Sequence, residues 1–375
     1  MINNLEFIIF GRVQGNALGQ IRSLGEIGIK PILVWCGPTP CAPIKSKYLK
    51  MYHITSSIEE GLELIIKNYS NTSSKVFIST DSDGIVGVLN DNYNRLKDHF
   101  VFFNAGEQGR LTKLMEKITL CNIAEECGLR CPKSELIKVG EMPQSLSYPI
   151  FTKSQDSFSS LWKTITHICK DENDLVRAYK QMDCETVLLQ EYVEKKNEYI
   201  LQGVSVNGGD ELFLPIEGGY YRLPDGAYGS YLYFNKYMGG ADLYNKLREV
   251  FRRIRYSGVF ETEFLVGKDD SIYFLEINFR HTLWNHTFTD MGINLLEIWA
   301  MSELNGKLSL DNCLELSEKK HNLIYEFVDF VRYVKTKKIG IIKWLRQLVL
   351  ADSYVMWNKK DIKPFIYYLY LHFRK

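Results

Sequence analysis

Between Phe260 and Arg280 the chain alternates apolar and polar residues with a period of two, which restricts the segment to paired strands. The run Phe260-Glu261-Thr262-Glu263-Phe264 is followed by the turn Gly267-Lys268-Asp269-Asp270-Ser271 and by Phe274-Leu275-Glu276-Ile277-Asn278-Phe279-Arg280. Successive strand side chains point to opposite faces, so Glu276, Asn278 and Arg280 go one way and Leu275, Ile277 and Phe279 the other. A hairpin symmetric about Asp269 and Asp270 sets Glu263 opposite Glu276. Facing carboxylates repel unless a cation or a proton lies between them. Two carboxylates and an amide oxygen are hard ligands suited to Mg²⁺ held jointly with phosphate oxygens. A solvated hairpin with incidental acids is the competing reading, because outward faces of antiparallel sheets are commonly charged.

At 375 residues the chain has room for two or three lobes sharing a large core. Its 45% hydrophobic and 24% charged residues are those of a soluble globular protein. No run approaches the roughly twenty apolar residues that span a bilayer, and Met1 to Glu6 lacks the basic start of a signal peptide, so a cytoplasmic location is expected. The eight cysteines include no C-x₂-C pair, which supports neither a zinc site nor a disulfide framework. Net charge is +1, but His321 to Lys375 holds eleven Lys and Arg against four Asp and Glu, a local +7. Such a tail suits a membrane surface or an acidic partner, whereas its interleaved aromatic residues favour a helical face packed on the body. A nearly balanced total and a basic excess confined to that tail argue against nucleic acid as a partner.

The remaining chain reads as α/β. Phe7 to Phe10 is a strand, Ala17 to Ile27 a helix and Pro31 to Trp35 a strand, a unit of the dinucleotide-fold type without the G-x-G-x-x-G fingerprint of an NAD site. Lys75 to Thr80 is a further strand, followed by a helix from Gly84 to Leu96. Ligands in such sheets lie beyond the carboxyl ends of strands, which makes Gly11 to Asn16 and Asp81 to Gly84 candidate site walls. Leu111 to Cys127 is expected as one helix closed by Gly128. Strands follow at Ser134 to Val139, Tyr148 to Lys153, Trp162 to Ile168 and Val187 to Val193, with a helix from Asp171 to Met182. A hairpin pairs Glu198 to Val206 with Glu211 to Glu217, and a Tyr- and Gly-rich loop from Gly218 to Tyr233 leads to the helix Leu243 to Tyr256.

A helix lysine, a strand-end lysine with a Ser-rich loop, an apolar strand running into Gln190-Glu191-Tyr192-Val193-Glu194, an acid at Glu198 and then the acidic hairpin occur in an order that resembles the ATP-grasp superfamily. The resemblance covers roughly Leu111 to Ala300, and Phe274 to Arg280 is similar to the family's F-x-E-x-N-x-R strand. It implies a Rossmann-like domain at 1–110, a lobe at 111–189 with phosphate lysines and a lid, a lobe at 190–305 with the adenine hinge and metal site, and a basic, aromatic-rich extension at 306–375. Glu263, Glu276 and Asn278 then resemble the Mg²⁺ ligands, with Mn²⁺ an acceptable substitute, and Arg280 the arginine that steadies the transferred phosphoryl group. Lys153 is similar to the lysine that reaches the α- and β-phosphates, and Lys117 to the helix lysine, with Lys113 its competitor one turn away. Gln190, Glu191 and Val193 resemble the hinge that meets adenine, and Glu198 the carboxylate on the ribose hydroxyls. The Ser154 to Ser160 loop, which lacks the usual glycines, and the Gly218 to Gly229 loop are expected as lids.

The activity implied is an ATP-dependent carboxylate–amine ligase working through an acyl phosphate, on small-molecule carboxylate and amine substrates. Arg222, His281 and His286 are candidates for the acceptor site. Asn16-Ala17-Leu18-Gly19, Arg22-Ser23-Leu24-Gly25, Trp344 and Asp361-x-Lys363-Pro364 look most like the carbamoyl-phosphate-synthetase-like and D-aspartate-ligase branch. A kinase built on the same ATP machinery and a non-catalytic ATP sensor stay open as alternatives, and a homodimer is allowed for.

Overall fold

A computed structural model describes residues 5–72, 75–154, 165–223, 229–311 and 313–374. Three sheets organise them. The first is parallel, ordered β3 (Met51–Ile54), β2 (Ile32–Trp35), β1 (Glu6–Gly11), β4 (Val76–Thr80), β5 (Phe100–Phe102). Strands β1, β2 and β4 are buried on both faces, which explains their uninterrupted apolar runs. The second sheet is antiparallel, ordered β6 (Ser134–Lys138), β9 (Thr186–Glu191), β7 (Ile150–Lys153), β8 (His167–Cys169).

The third is the largest: β14 (Ile272–Asn278), β13 (Gly258–Gly267), β10 (Lys195–Val206), β11 (Glu211–Tyr220), β12 (Tyr231–Lys236), β15 (His321–Ile324), β16 (Ser353–Tyr354). One continuous apolar core joins the parallel sheet to this one: Phe77 and Phe103 meet the Trp299 ring at 5.5 and 4.6 Å. The four-stranded sheet keeps a separate core around Ile150, Leu175 and Leu189.

Several expectations shift. The first helix spans Gln14–Glu26, because the Asp81 carboxylate takes the amides of Arg12 and Val13 and lets the helix begin directly after them. The expected helix from Leu111 to Cys127 is two, Arg110–Leu114 and Lys117–Glu126, broken by extended backbone at Glu116. Gly128 closes the second with φ +83°. Lys113 and Lys117 therefore do not share a continuous helical face.

Both ends of the expected Gly218 to Tyr233 loop are strand, β11 running to Tyr220 and β12 starting at Tyr231. A Cβ at Gly218 would stand 2.4 Å from the Phe234 ring, so glycine there lets β11 and β12 close against each other. Of the strand expected at Trp162 to Ile168, residues 162–164 lie outside the described ones and the pairing begins at His167. Residues 155–160 and 224–228 of the two expected lids also lie outside. The 306–375 segment is not an appendage: β15 and β16 complete the large sheet, and the helix Lys363–Phe373 packs back toward the parallel sheet. No helix among the described residues is long and apolar enough to cross a membrane.

Candidate active site

The hairpin folds in the register its symmetry predicts. Glu263 pairs with Glu276 and Glu261 with Asn278, while across the other edge of β13 Gln202 faces Glu261 and Ile200 faces Glu263. One face of three strands thus carries Gln202, Glu261 and Asn278 in a row, with Glu263 and Glu276 in the next. A bulge after Glu263, where Leu275 is the extra residue, separates this polar patch from the turn end of the hairpin.

Glu261, given no role by sequence reading, is the best-held acid of the cluster. Its Oε2 accepts bonds from Trp284 Nε1 (2.7 Å), Thr282 Oγ1 (3.0 Å) and Gln202 Nε2, and its Oε1 from Asn278 Nδ2 (3.2 Å). Asn278 also donates to Glu263 Oε1 (2.8 Å), and its carbonyl oxygen accepts from Arg280 (2.9 Å) while keeping a second lone pair. Burial, then Glu276, Glu261 and Glu198, pushes the Glu263 carboxyl well above its usual range. Burial also raises Glu261, against the hydrogen bonds it accepts. The cluster is short of positive charge, which is the condition a divalent cation would relieve. Among the described residues no three His, Cys, Asp or Glu side chains form a metal cage by themselves. Glu263, Glu276 and the Asn278 oxygen are the hard donors that Mg²⁺ shares with phosphate oxygens, and they fit it on that chemistry.

Arg280 is fixed from the other side. Its Nε and Nη2 donate to the two oxygens of Asp83 at 2.8 and 2.9 Å, a bidentate pair. Burial opposes the Arg280 charge, but Asp83, with Glu261 and Glu276 behind it, raises the pKa above the ordinary value. The pair forms because the His281 amide bonds the Thr80 carbonyl and Asn16 Nδ2 bonds the His281 carbonyl, docking the chain after β14 onto the carboxyl ends of β1 and β4. There the Asp81 carboxyl sits so close over Gly11 that a Cβ would lie 2.9 Å from it, and burial raises its pKa to about 7.

A cavity of ≈ 750 Å³ opens at this junction. Glu261, Glu263, Glu276, Asn278 and Arg280 form one wall, Arg12 to Asn16 and Asp81 to Gly84 a second, and Tyr325, Tyr368 and His372 of the C-terminal segment a third. The Arg12 guanidinium has no hydrogen-bond or ion-pair partner among the described residues.

The nucleotide candidates lie outside this lining. Burial and the nearby Lys117 charge bring Lys153 down to about 8, with Glu276 pulling the other way, so both lysines share an electrostatic neighbourhood with the acids. Lys113 is exposed. Gln190 spends its side chain on Ser134 Oγ (2.8 Å), and β9 ends at Glu191, whose amide bonds the Lys133 carbonyl. Residues 192–194 cross from the four-stranded to the seven-stranded sheet, and the Val193 amide has no partner among the described residues. Glu198 on β10 accepts from Lys195 Nζ at 2.7 Å.

Three acceptor candidates are reassigned. Arg222 binds Asp329 and Gln347 (2.7 Å) and stacks on Tyr231 and Tyr333 at 4.5 and 5.1 Å, which ties the 306–375 segment down and leaves no fork for a substrate. His281 is buried against Phe103 with neither ring nitrogen bonded among the described residues, and desolvation lowers its pKa to about 3. His286 lies between Glu26 (3.3 Å) and Asp290 (3.7 Å), where its hydrogen bond, assisted by Lys360, holds Glu26 near 2. Neither histidine lines the cavity. Glu261 was within reach of sequence reading, because it precedes Glu263 by two on one strand; the Tyr325, Tyr368 and His372 wall carries no local signal.

No family model and no curated protein sequence matches this chain. Solved structures do. An N5-carboxyaminoimidazole synthetase from Staphylococcus aureus aligns over 89% of this chain and 85% of its own at TM-score 0.68 and 13% identity. An L-amino acid ligase from Bacillus licheniformis aligns over 80% and 74% at TM-score 0.60 and 11% identity. The biotin carboxylase domain of a Hydrogenobacter thermophilus 2-oxoglutarate carboxylase, solved with MgADP, ADP and bicarbonate, aligns over 81% and 70% at TM-score 0.63 and 16% identity. The chain has the ATP-grasp fold.

Proposed function

We propose that this protein is an ATP-dependent ligase that activates a small-molecule carboxylate as an acyl phosphate and joins it to an amine. The observation that carries the reading is the junction itself: an acid cluster short of positive charge and a locked arginine open onto a cavity whose other walls are the carboxyl-end loops of a parallel sheet. In this reading Glu263, Glu276 and Asn278 hold Mg²⁺, which supplies charge neutralisation at phosphate oxygens when bound. Lys117 and Lys153 pair with the phosphates, the Val193 amide and the residues beside it meet adenine, and Glu198 takes the ribose once Lys195 yields. Arg280 faces the charge that develops on the transferred phosphoryl group, and Asp83 keeps its fork oriented. Arg12, unlike Arg222, has a free guanidinium at the cavity wall and binds the substrate carboxylate. The similar folds of a synthetase, a ligase and a carboxylase domain, the last solved with MgADP, support the same class.

Phosphate release from Mg·ATP, measured against a matrix of amino acids and sugar acids with mass detection of products, tests this. An amide product that requires two acceptors supports it. A phosphorylated single acceptor makes the protein a kinase, and nucleotide binding without turnover across the matrix makes it a sensor.

A further inference from the structure

The helices Ile341–Val349 and Lys363–Phe373 leave much of their apolar surface outside. On the first, Ile341, Ile342, Leu345 and Val349 fall within one exposed arc, with Ile342 83% and Val349 78% accessible, while Trp344 faces inward and Lys343 and Arg346 flank the arc. On the second, Ile362, which caps it, Ile366, Tyr370 and Phe373 form an exposed stripe at helical spacing, Phe373 being 78% accessible. An apolar cleft of ≈ 420 Å³ lies between them, lined by Leu348 and Val349 from one side and Phe365 and Leu369 from the other.

The charges are sorted as well. Of the four acids after His321, Glu326, Asp329 and Asp361 are buried, whereas Lys335, Lys343, Arg346, Lys359, Lys363 and Arg374 are exposed. Among the described residues of the segment the exposed charge is therefore mostly positive, Asp352 being the exposed acid, and Lys343 and Arg346 stand beside the apolar arc.

We infer that this face seats on an anionic lipid surface, lying in the interface rather than spanning it. Apolar arcs flanked by Lys and Arg partition into the headgroup boundary, and each basic group near an anionic bilayer adds to the attraction. A second copy of the chain fits poorly, because two outward-basic faces repel. The helix Lys363–Phe373 turns Tyr368 and His372 to the large cavity and its exposed stripe the other way, so the lipid seat and the cavity lie on opposite sides of one helix.

The test is co-sedimentation of the full chain with vesicles of phosphatidylcholine alone or with phosphatidylglycerol in a roughly two-to-one mixture, at low and high salt. Partition onto the anionic vesicles should exceed that onto the neutral ones by about ten-fold or more and weaken with salt. The double variants Ile342→Asp/Phe373→Asp and Lys343→Glu/Arg346→Glu should each lower it by about ten-fold with circular dichroism unchanged, since these side chains are exposed. The inference is overturned if the chain binds neither vesicle, binds both alike, or keeps its partition in the charge-reversed variant. A concentration-dependent dimer that Ile342→Asp disperses, with no vesicle binding, would assign the face to self-association instead.

Discussion

Two buried charge clusters in this molecule have opposite characters. Arg22, fully buried in the Gln14–Glu26 helix, gives Nε to Asp361 (3.3 Å) and its remaining donors to the carbonyls of Val355, Met356 and Asp361. Asp361 completes its own shell with Ser46 Oγ (2.8 Å) and the Lys47 amide (3.0 Å). Burial lowers the Arg22 pKa and the Asp361 charge opposes that, so the pair answers its own desolvation. The Glu261, Glu263 and Glu276 cluster does not. Its one guanidinium is shared with Asp83, and Glu263 is driven toward protonation. A closed cluster satisfies its own charges, whereas an open one costs stability until something binds.

The largest expected effect is on turnover: Glu276→Ala should abolish Mg-dependent ADP formation, a loss of about three orders of magnitude or more. Retained ADP formation in a coupled assay would show that the cluster is not the metal site. Next comes stability. Arg22→Ala leaves Asp361 buried without its cation and should cost about 3 to 5 kcal/mol in urea unfolding. Folded Arg22→Ala protein should nonetheless bind ATP with near-wild-type affinity by calorimetry.

Glu263→Gln sharpens the contrast, since it removes a carboxylate that the apo protein holds at a cost. Its melting temperature in EDTA should rise, by about 1 to 2 kcal/mol of added stability, while the shift on adding Mg·ADP disappears. A fall in EDTA would mean that the open cluster stabilises the protein after all. The Lys153 amine, with a pKa brought down to about 8, is charged below that pH and neutral above it. ATP affinity should therefore fall as pH rises through about 8, and Lys153→Arg should move the fall to higher pH. Smallest of all is His281→Leu, which should leave kcat within about two-fold because the ring is packed and unbonded rather than poised for proton transfer.

Parts of the large sheet and of the parallel sheet were legible in the chain. Alternation and a polar turn placed Glu263 against Glu276, and short apolar runs marked β1, β2 and β4, because strand pattern and burial are local properties. What stayed hidden depends on distant residues. Nothing around Arg222 or Asp329 announces their pairing 107 positions apart, and a free arginine and a bound one look alike in sequence. The break at Glu116 was invisible too, since helix propensity runs smoothly through it. Arg22 and Asp361 stand in separate sequence motifs, and only the fold shows that they are one device.

That device carries an order of events. A ribosome makes Arg22 339 residues before Asp361, so through most of synthesis the first helix carries a cation whose site does not yet exist. β12 waits likewise for β15, its neighbour in the large sheet. The nascent N-terminal half can collapse but cannot close until those distant partners have been made, and late closure brings exposure to chaperones.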